Sequence, residues 1–288
     1  MRPKINFKQI RRVVVKVGTS VLTERGTFYP KRIDEIAAQT SALLKQGLRV
    51  SIVSSGAIGA GMTILKEKER PKTMEGLQAA AAVGQRYLMQ CYEAAFSKRG
   101  FSTAQVLLTW DDLAHSKRFM NAKRTLGEIQ RRSLVPIINE NDTVATDEIR
   151  FGDNDRLSSL ISILAEADLL VILSDTDGLY TQGRGQGERL SIVRSMNDSV
   201  FAHVRDGKNA FTVGGMNSKL KAVKMSVDAG IPVFLADGRD SKVLSRLAKG
   251  EDVGTLFFPG TRSKRSQKNW MSHFLSHIEA GNGRRVHA

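Results

Sequence analysis

Short β-branched runs alternate with helical stretches along most of this chain, and that alternation admits few folds. Arg12 to Val17 reads as a buried strand, and Lys31 to Gln46 carries Ile33, Ile36, Ala37, Leu43 and Leu44 at helical spacing until Gly47 stops it. Arg49 to Val53 is the next strand. Gly76 to Lys98 then reads as a helix, Ser102 to Leu108 as a strand and Asn121 to Arg132 as a helix. Val135 to Asn139, Asp168 to Leu173 and Ile231 to Leu235 are further strands. The helices Asp155 to Glu166 and Lys219 to Asp228 fall between them. The pattern predicts an α/β protein: a three-layer α/β/α sandwich with a mostly parallel central sheet.

Ligands in such sheets bind beyond the carboxyl ends of the strands. Four strands here end in small or polar clusters: Gly18-Thr19, Ser54-Ser55-Gly56, Asn139-Glu140-Asn141-Asp142 and Ser174-Asp175. One such cluster is ordinary turn chemistry, but four at equivalent positions predict a shared rim. Lys16 stands among valines, where a charge is costly unless an anion pairs with it. The competing reading is an edge lysine that snorkels to solvent. The glycine and hydroxyls after Lys16 favour an anion site, although the spacing is not that of a Walker A loop. Ser54 to Gly61 is a second glycine-rich turn, readable as a tight connection or as a cradle for a carboxylate or phosphate.

Asn139 to Asp155 concentrates six acidic residues and three asparagines in a chain of net charge +15. A solvated loop would explain the acids alone. A site that recognises an ammonium group and positions lysines explains both residue types. EF-hand spacing is missing, which discounts a calcium loop. Gly214-Gly215-Met216-Asn217-Ser218-Lys219 opens a helix with N–H groups and a lysine for an anion. Two lysines on glycine-flanked turns, Lys16 and Lys219, suit phosphoryl transfer, which depends on positioning and charge stabilisation.

Composition narrows the class. No apolar run approaches the roughly 18 residues of a membrane helix, no signal peptide is read, and the lone Cys91 permits no internal disulfide. A cytoplasmic protein without membrane partners is expected. The positive charge suits anionic substrates or nucleic acid, and residues 261–288 supply +5 of it. Aromatic residues are only 6% and do not interleave with the basic tail, which argues against nucleic acid as a partner.

Lys16-Val17-Gly18-Thr19-Ser20, Ser55-Gly56-Ala57-Ile58, Ala82-Val83-Gly84-Gln85, Asn139-Glu140-Asn141-Asp142, Gly152-Asp153-Asn154-Asp155 and Gly214-Gly215-Met216 occur in this order. Together they resemble the glutamate 5-kinase family of the amino acid kinase superfamily. The resemblance implies an amino acid kinase domain over 1–260, with a glutamate-binding part to about 165 and an ATP-binding part over 166–260. It implies catalytic roles for Lys16, Lys219 and Asp155, the aspartate holding the lysines. It implies glutamate binding by Ser55, Asp142 and Asn154, with Asn139 and Asp153 near, the carboxylate falling to Ser55 and Asn154. ATP would be held by Lys16, Gly18, Ser174, Asp175, Val213, Gly214, Gly215, Met216, Asn217, Ser218 and Lys219. Magnesium would ride on the phosphates with no protein metal site. The resemblance also implies feedback by L-proline, a dimer or tetramer, and functional coupling to glutamate-5-semialdehyde dehydrogenase. Thr212-Val213 departs from the family's Gly-Thr, and the chain is too short after Trp270 for the C-terminal PUA domain many members carry. A catalytically weak amino-acid and nucleotide sensor, and a basic nucleic-acid-binding protein, are the alternatives.

Overall fold

The computed structural model describes residues 7–145, 154–183, 185–205 and 215–259. Asp153, Val213, Gly214 and the basic tail lie outside the described residues.

The valine-rich segment Arg12–Val17 forms β1, the strand on which the sheet is built. Strand β4 (Arg49–Ser54) pairs parallel to it on one side, followed by β6 (Val135–Glu140) and the edge strand β5 (Thr103–Leu108). On the other side of β1 lie β7 (Leu169–Ser174) and β11 (Val233–Asp237), also parallel. The short β12 (Gly254–Phe257) runs antiparallel to β11, and β10 (Ile192–Val193) closes that edge. Two small hairpins, β2–β3 (Thr23–Glu24 with Thr27–Phe28) and β8–β9 (Leu179–Tyr180 with Arg189–Leu190), stand apart from this eight-stranded sheet. The chain thus builds outward from β1 in one direction, then returns to build in the other. Between β1 and β7 it leaves a topological switch point, the place where open α/β sheets hold ligands.

Both faces are covered, as the strand–helix alternation predicts. Val13, Val15 and Val17 join one apolar layer with Ile33 of α1 (Lys31–Lys45), Leu88 and Tyr92 of α3 (Met74–Ser97), and Leu244 of a later helix. Val14 joins the opposite layer with Leu126 of α5 (Ser116–Arg131), Leu160 of α6 (Asn154–Leu164), and Leu220 and Val223 of α8 (Met216–Asp228). Lys16 shares the parity of Val14, so its side chain enters the second layer, where α6 and α8 begin.

Among the described residues the other α-helices are α2 (Ala57–Leu65), α4 (Trp110–Ala114), α7 (Asp198–Arg205) and α9 (Val243–Ala248). Sequence periodicity finds the long helices to within a few residues. It misses α4, which a Thr109–Asp112 capping box starts, and also α7 and α9, and it begins α5 late. Helix α8 starts three residues before the expected Lys219, which places that lysine inside the first turn.

Helices α2 and α3 touch backbone to backbone. A Cβ added at Gly84 would overlap the Ala57 carbonyl oxygen, and one added at Gly61 would overlap that of Ala80. Gly84→Ala should therefore force the helices apart and cost about 1–3 kcal/mol, since packed cores resist added volume. Gly127→Ala, in α5 with open space around it, should instead stabilise by roughly 0.5–1 kcal/mol. Urea denaturation of the two variants checks both signs.

Candidate functional site

The four polar clusters do converge. Strands β7, β1, β4 and β6 are successive neighbours, and the Gly18 N–H bonds to the Leu173 carbonyl as the Ser55 N–H bonds to that of Val17. At their carboxyl ends opens a cleft of about 480 Å³. Lys16, Gly18, Ser55, Asn139, Asp142, Asn154 and Lys219 line it, all of them residues singled out from the sequence.

Asp155 organises the floor. It is 1% exposed at the start of α6, with Lys16 Nζ 2.5 Å from one carboxylate oxygen and Lys219 Nζ 3.1 Å from the other. Burial alone would push this carboxyl up, but the two ammonium groups outweigh burial and hold it below the usual carboxylate range. Small side chains bring the parent helices close: Ser159 Oγ of α6 donates to the Ala222 carbonyl of α8 at 2.8 Å, and Ser162 lies against Ser226. The Arg156 guanidinium stacks over the Trp110 ring, 3.3 Å from its centroid, and braces the same helix start. Two ammonium groups meet at this floor, which suits an anionic group above it.

The far wall is a chain of amides. Asn154 Nδ2 donates to the Ser54 carbonyl, to Ser55 Oγ and to Asn139 Oδ1, and Asn139 Nδ2 donates to Gln85 Oε1 at 2.8 Å. Asp142 closes this end, and burial pushes its carboxyl up to about 6, against the opposing pull of Arg70. Gly56 takes a left-handed backbone (φ 98°) and opens α2, whose first turn, Gly56 to Gly59, lines the cleft.

The other expected nucleotide residues stand beside the cleft, not in its lining. Ser174 and Asp175 end β7, Ser174 Oγ donating to Asp175 Oδ1 at 3.2 Å, while Arg239 donates to the Asp175 carbonyl. Gly215 is the N-cap of α8 with no side-chain cap bond, and Met216, Asn217 and Ser218 make its first turn. Among the described residues no three His, Cys, Asp or Glu side chains gather as a metal site. Sequence reasoning overlooked Arg70, which lines the cleft from the link between α2 and α3. It placed Gln85 within a motif without giving it a role.

The profile of the "Amino acid kinase family" matches residues 11–237. A glutamate 5-kinase from Citrifermentans bemidjiense is 45% identical over 270 residues, covering 92% of this chain and 72% of that protein. One from Azoarcus sp. (strain BH72) is 44% identical over 279 residues, covering 96% and 75%. Among solved structures, carbamate kinase from Giardia lamblia bound to AMP-PNP superposes with a TM-score of 0.60 at 16% identity, covering 88% of this chain and 99% of that one. UMP kinase from Bacillus anthracis superposes with a TM-score of 0.59, also at 16% identity, covering 87% and 96%. Among the described residues no helix is long and apolar enough to cross a membrane.

Removing the shared carboxylate tests the floor. Asp155→Ala removes the carboxylate that two buried ammonium groups share and should lower the unfolding free energy by about 3–5 kcal/mol. Because its folded pKa lies below the unfolded value of 3.8, the stability Asp155 adds is present above that value and is lost as pH falls through the folded one. Denaturant unfolding from pH 7 to pH 2.5 should show a shallower acid loss in the variant than in the parent.

Proposed function

The chain belongs to the amino acid kinase family, among the glutamate 5-kinases, and from that premise we propose that it transfers the γ-phosphoryl group of ATP to the side-chain carboxylate of L-glutamate, the first step of proline biosynthesis. The observation that carries this reading is the buried Lys16–Asp155–Lys219 arrangement at one end of the cleft with Asp142 and the amide chain at the other. One end suits phosphate; the other suits an α-amino acid head.

The chemistry asks little of the protein in covalent terms. A glutamate side chain is ionised at neutral pH, so its oxygen attacks phosphorus without a general base. Among the described residues no histidine lines the cleft. The new oxygen–phosphorus bond forms as the bond to the β-phosphate oxygen breaks, and ADP leaves with the electron pair. Lys16 and Lys219 offset the negative charge that the acceptor carboxylate and phosphoryl oxygens bring together. Asp155 keeps both ammonium groups aimed without cancelling them. The first turn of α8 offers N–H groups to phosphate; Gly18, whose own N–H is spent on the Leu173 carbonyl, instead leaves open space beside the Lys16 ammonium, and Ser174-Asp175, one strand over, lie where the nucleoside would extend. Magnesium would be held by the phosphate oxygens and would supply charge neutralisation there. That fits a phosphate end whose protein side chains are cationic.

In this reading Asp142 takes the ammonium group. Asn154, its amide hydrogens spent on Ser54, Ser55 and Asn139, sides with Asp142 as an acceptor instead of holding the carboxylate. The carboxylate passes to the Ser55 hydroxyl and the α2 N-terminus. Proline shares the same head group and would compete for it. A homo-oligomer, and hand-over of the labile acyl phosphate to a dehydrogenase, complete the proposal.

Hydroxylamine trapping of the acyl phosphate tests the reaction. Glutamate with ATP and magnesium should give product, aspartate and N-acetylglutamate little, and saturating glutamate should overcome added proline. Turnover of N-acetylglutamate equal to that of glutamate would sink the assignment. Lys16→Ala should lower kcat by about two orders of magnitude or more, the usual cost of one preorganised charge-stabilising group.

Asp142 gives a pH signature. Its carboxyl is ionised above about 6 and neutral below, and only the ionised form pairs with an ammonium group. The glutamate kcat/KM should therefore be about tenfold lower at pH 5 than at pH 7.5. In Asp142→Asn it should be low and nearly flat over that range. A parent profile without an inflection near pH 6 would remove Asp142 from this role.

A further inference from the structure

The amides behind the cleft are oriented by backbone groups that leave no choice. Asn139 Oδ1 meets the Glu140 N–H at 2.9 Å, so that atom must be the oxygen. Asn154 Nδ2 meets the Ser54 carbonyl at 3.0 Å, so that atom must be the nitrogen. The other end of the Asn139 amide is then a nitrogen that needs an acceptor, and Gln85 Oε1 is that acceptor. Every further direction follows. Asn139 Oδ1 accepts from Asn154, and Asn154 also donates to Ser55 Oγ.

Two consequences reach the cleft. The Ser55 oxygen already accepts a hydrogen bond, so its own hydrogen is left to donate. Asn154 has three acceptors for two hydrogens and is left to offer Oδ1. A donor beside an acceptor matches a carboxylate and an ammonium group carried on one carbon.

Gln85 sits on α3 outside the cleft lining, and fixing it this way has a cost. Its Nε2 is buried without a hydrogen-bond partner among the described residues. Packing alone does not call for a glutamine there, because methionine would fill similar space and strand no donor.

We propose that Gln85 is a specificity-determining positioning residue: the backbone sets the direction of the Asn139–Asn154 relay, and Gln85, as acceptor for the remaining Asn139 hydrogen, pins that relay in place, so that Ser55 is held as a donor to carboxylate and Asn154 as an acceptor from ammonium. The proposal rests on the reading of the cleft as an α-amino-acid site, so binding is measured apart from turnover.

Calorimetric titration with L-glutamate and with glutarate, which lacks the amino group, tests it on the full chain. Gln85→Met keeps the shape and loses the acceptor; Gln85→Glu keeps the acceptor and loses the stranded donor. Gln85→Met should weaken glutamate binding about tenfold, the scale of one net hydrogen bond, and narrow the preference for glutamate over glutarate. Gln85→Glu should stay within about threefold of the parent, and in both variants the KM for ATP and the melting temperature should hold. Gln85→Ala, which admits water in place of the side chain, carries the same expectation as Gln85→Met should that variant not fold. Unchanged glutamate affinity and preference in the variants lacking the acceptor would overturn the relay. Equal loss in Gln85→Met and Gln85→Glu would overturn it too, by giving Nε2 a direct role. A fall in ATP affinity and melting temperature alongside glutamate affinity would make Gln85 merely structural. A parent that binds glutamate without phosphorylating it would sink the proposed reaction and leave the relay standing. A parent that binds no amino acid would sink both.

Discussion

Asp155 holds two lysines in a place where no lone charge would survive. A buried ion of either sign costs several kcal/mol, and replacing such a cluster by apolar packing often does a protein no harm. Its retention at the head of α6 therefore points to something other than stability. One carboxylate shared between two ammonium groups stays ionised and keeps both cations fixed. Much else in the molecule follows from the need to hold that triplet. The serine face of α6 lets α8 approach, Arg156 stacks on Trp110, and the central sheet supplies a rigid base.

The opposite end of the cleft depends on backbone proximity instead of charge. Helix α2 presents Gly56 to Gly59 to the opening, and only the absence of side chains at Gly61 and Gly84 lets α3 press directly against it. The same helix α3 carries Gln85 toward Asn139 and Gln78 toward the Ala145 carbonyl. The amide wall of the cleft is thus held by a helix that does not itself line the cleft.

Much of this was legible in the sequence because strand parity and polar rim clusters are local signals. The run Val13 to Val17 shows a buried strand, and a lysine inside it has few explanations. The glycine and asparagine motifs then place the lining residues on one rim. Strand order, the antiparallel β12 and helix α4 were not legible, because they depend on packing partners or span too few residues for a period to show. Arg70 was missed because it stands before Pro71 in a polar link, where no pattern marks one charged side chain from its neighbours. The role of Gln85 was hidden for a different reason. Its meaning lies in the direction of hydrogen bonds, which composition and spacing do not carry.

The parity of β1 has a wider bearing on how such a site is inherited. Lys16 reaches Asp155 because it shares a face with Val14, while Val15 and Val17 face the other layer. A single-residue insertion or deletion inside β1 would exchange the two faces and drive the ammonium group into hydrocarbon. The same change in the links at the opposite ends of the strands would disturb neither face. The pairing of Lys16 with Asp155 is therefore written as a phase as much as a set of residues. The rear of the molecule can lengthen without shifting the frame of this six-residue strand.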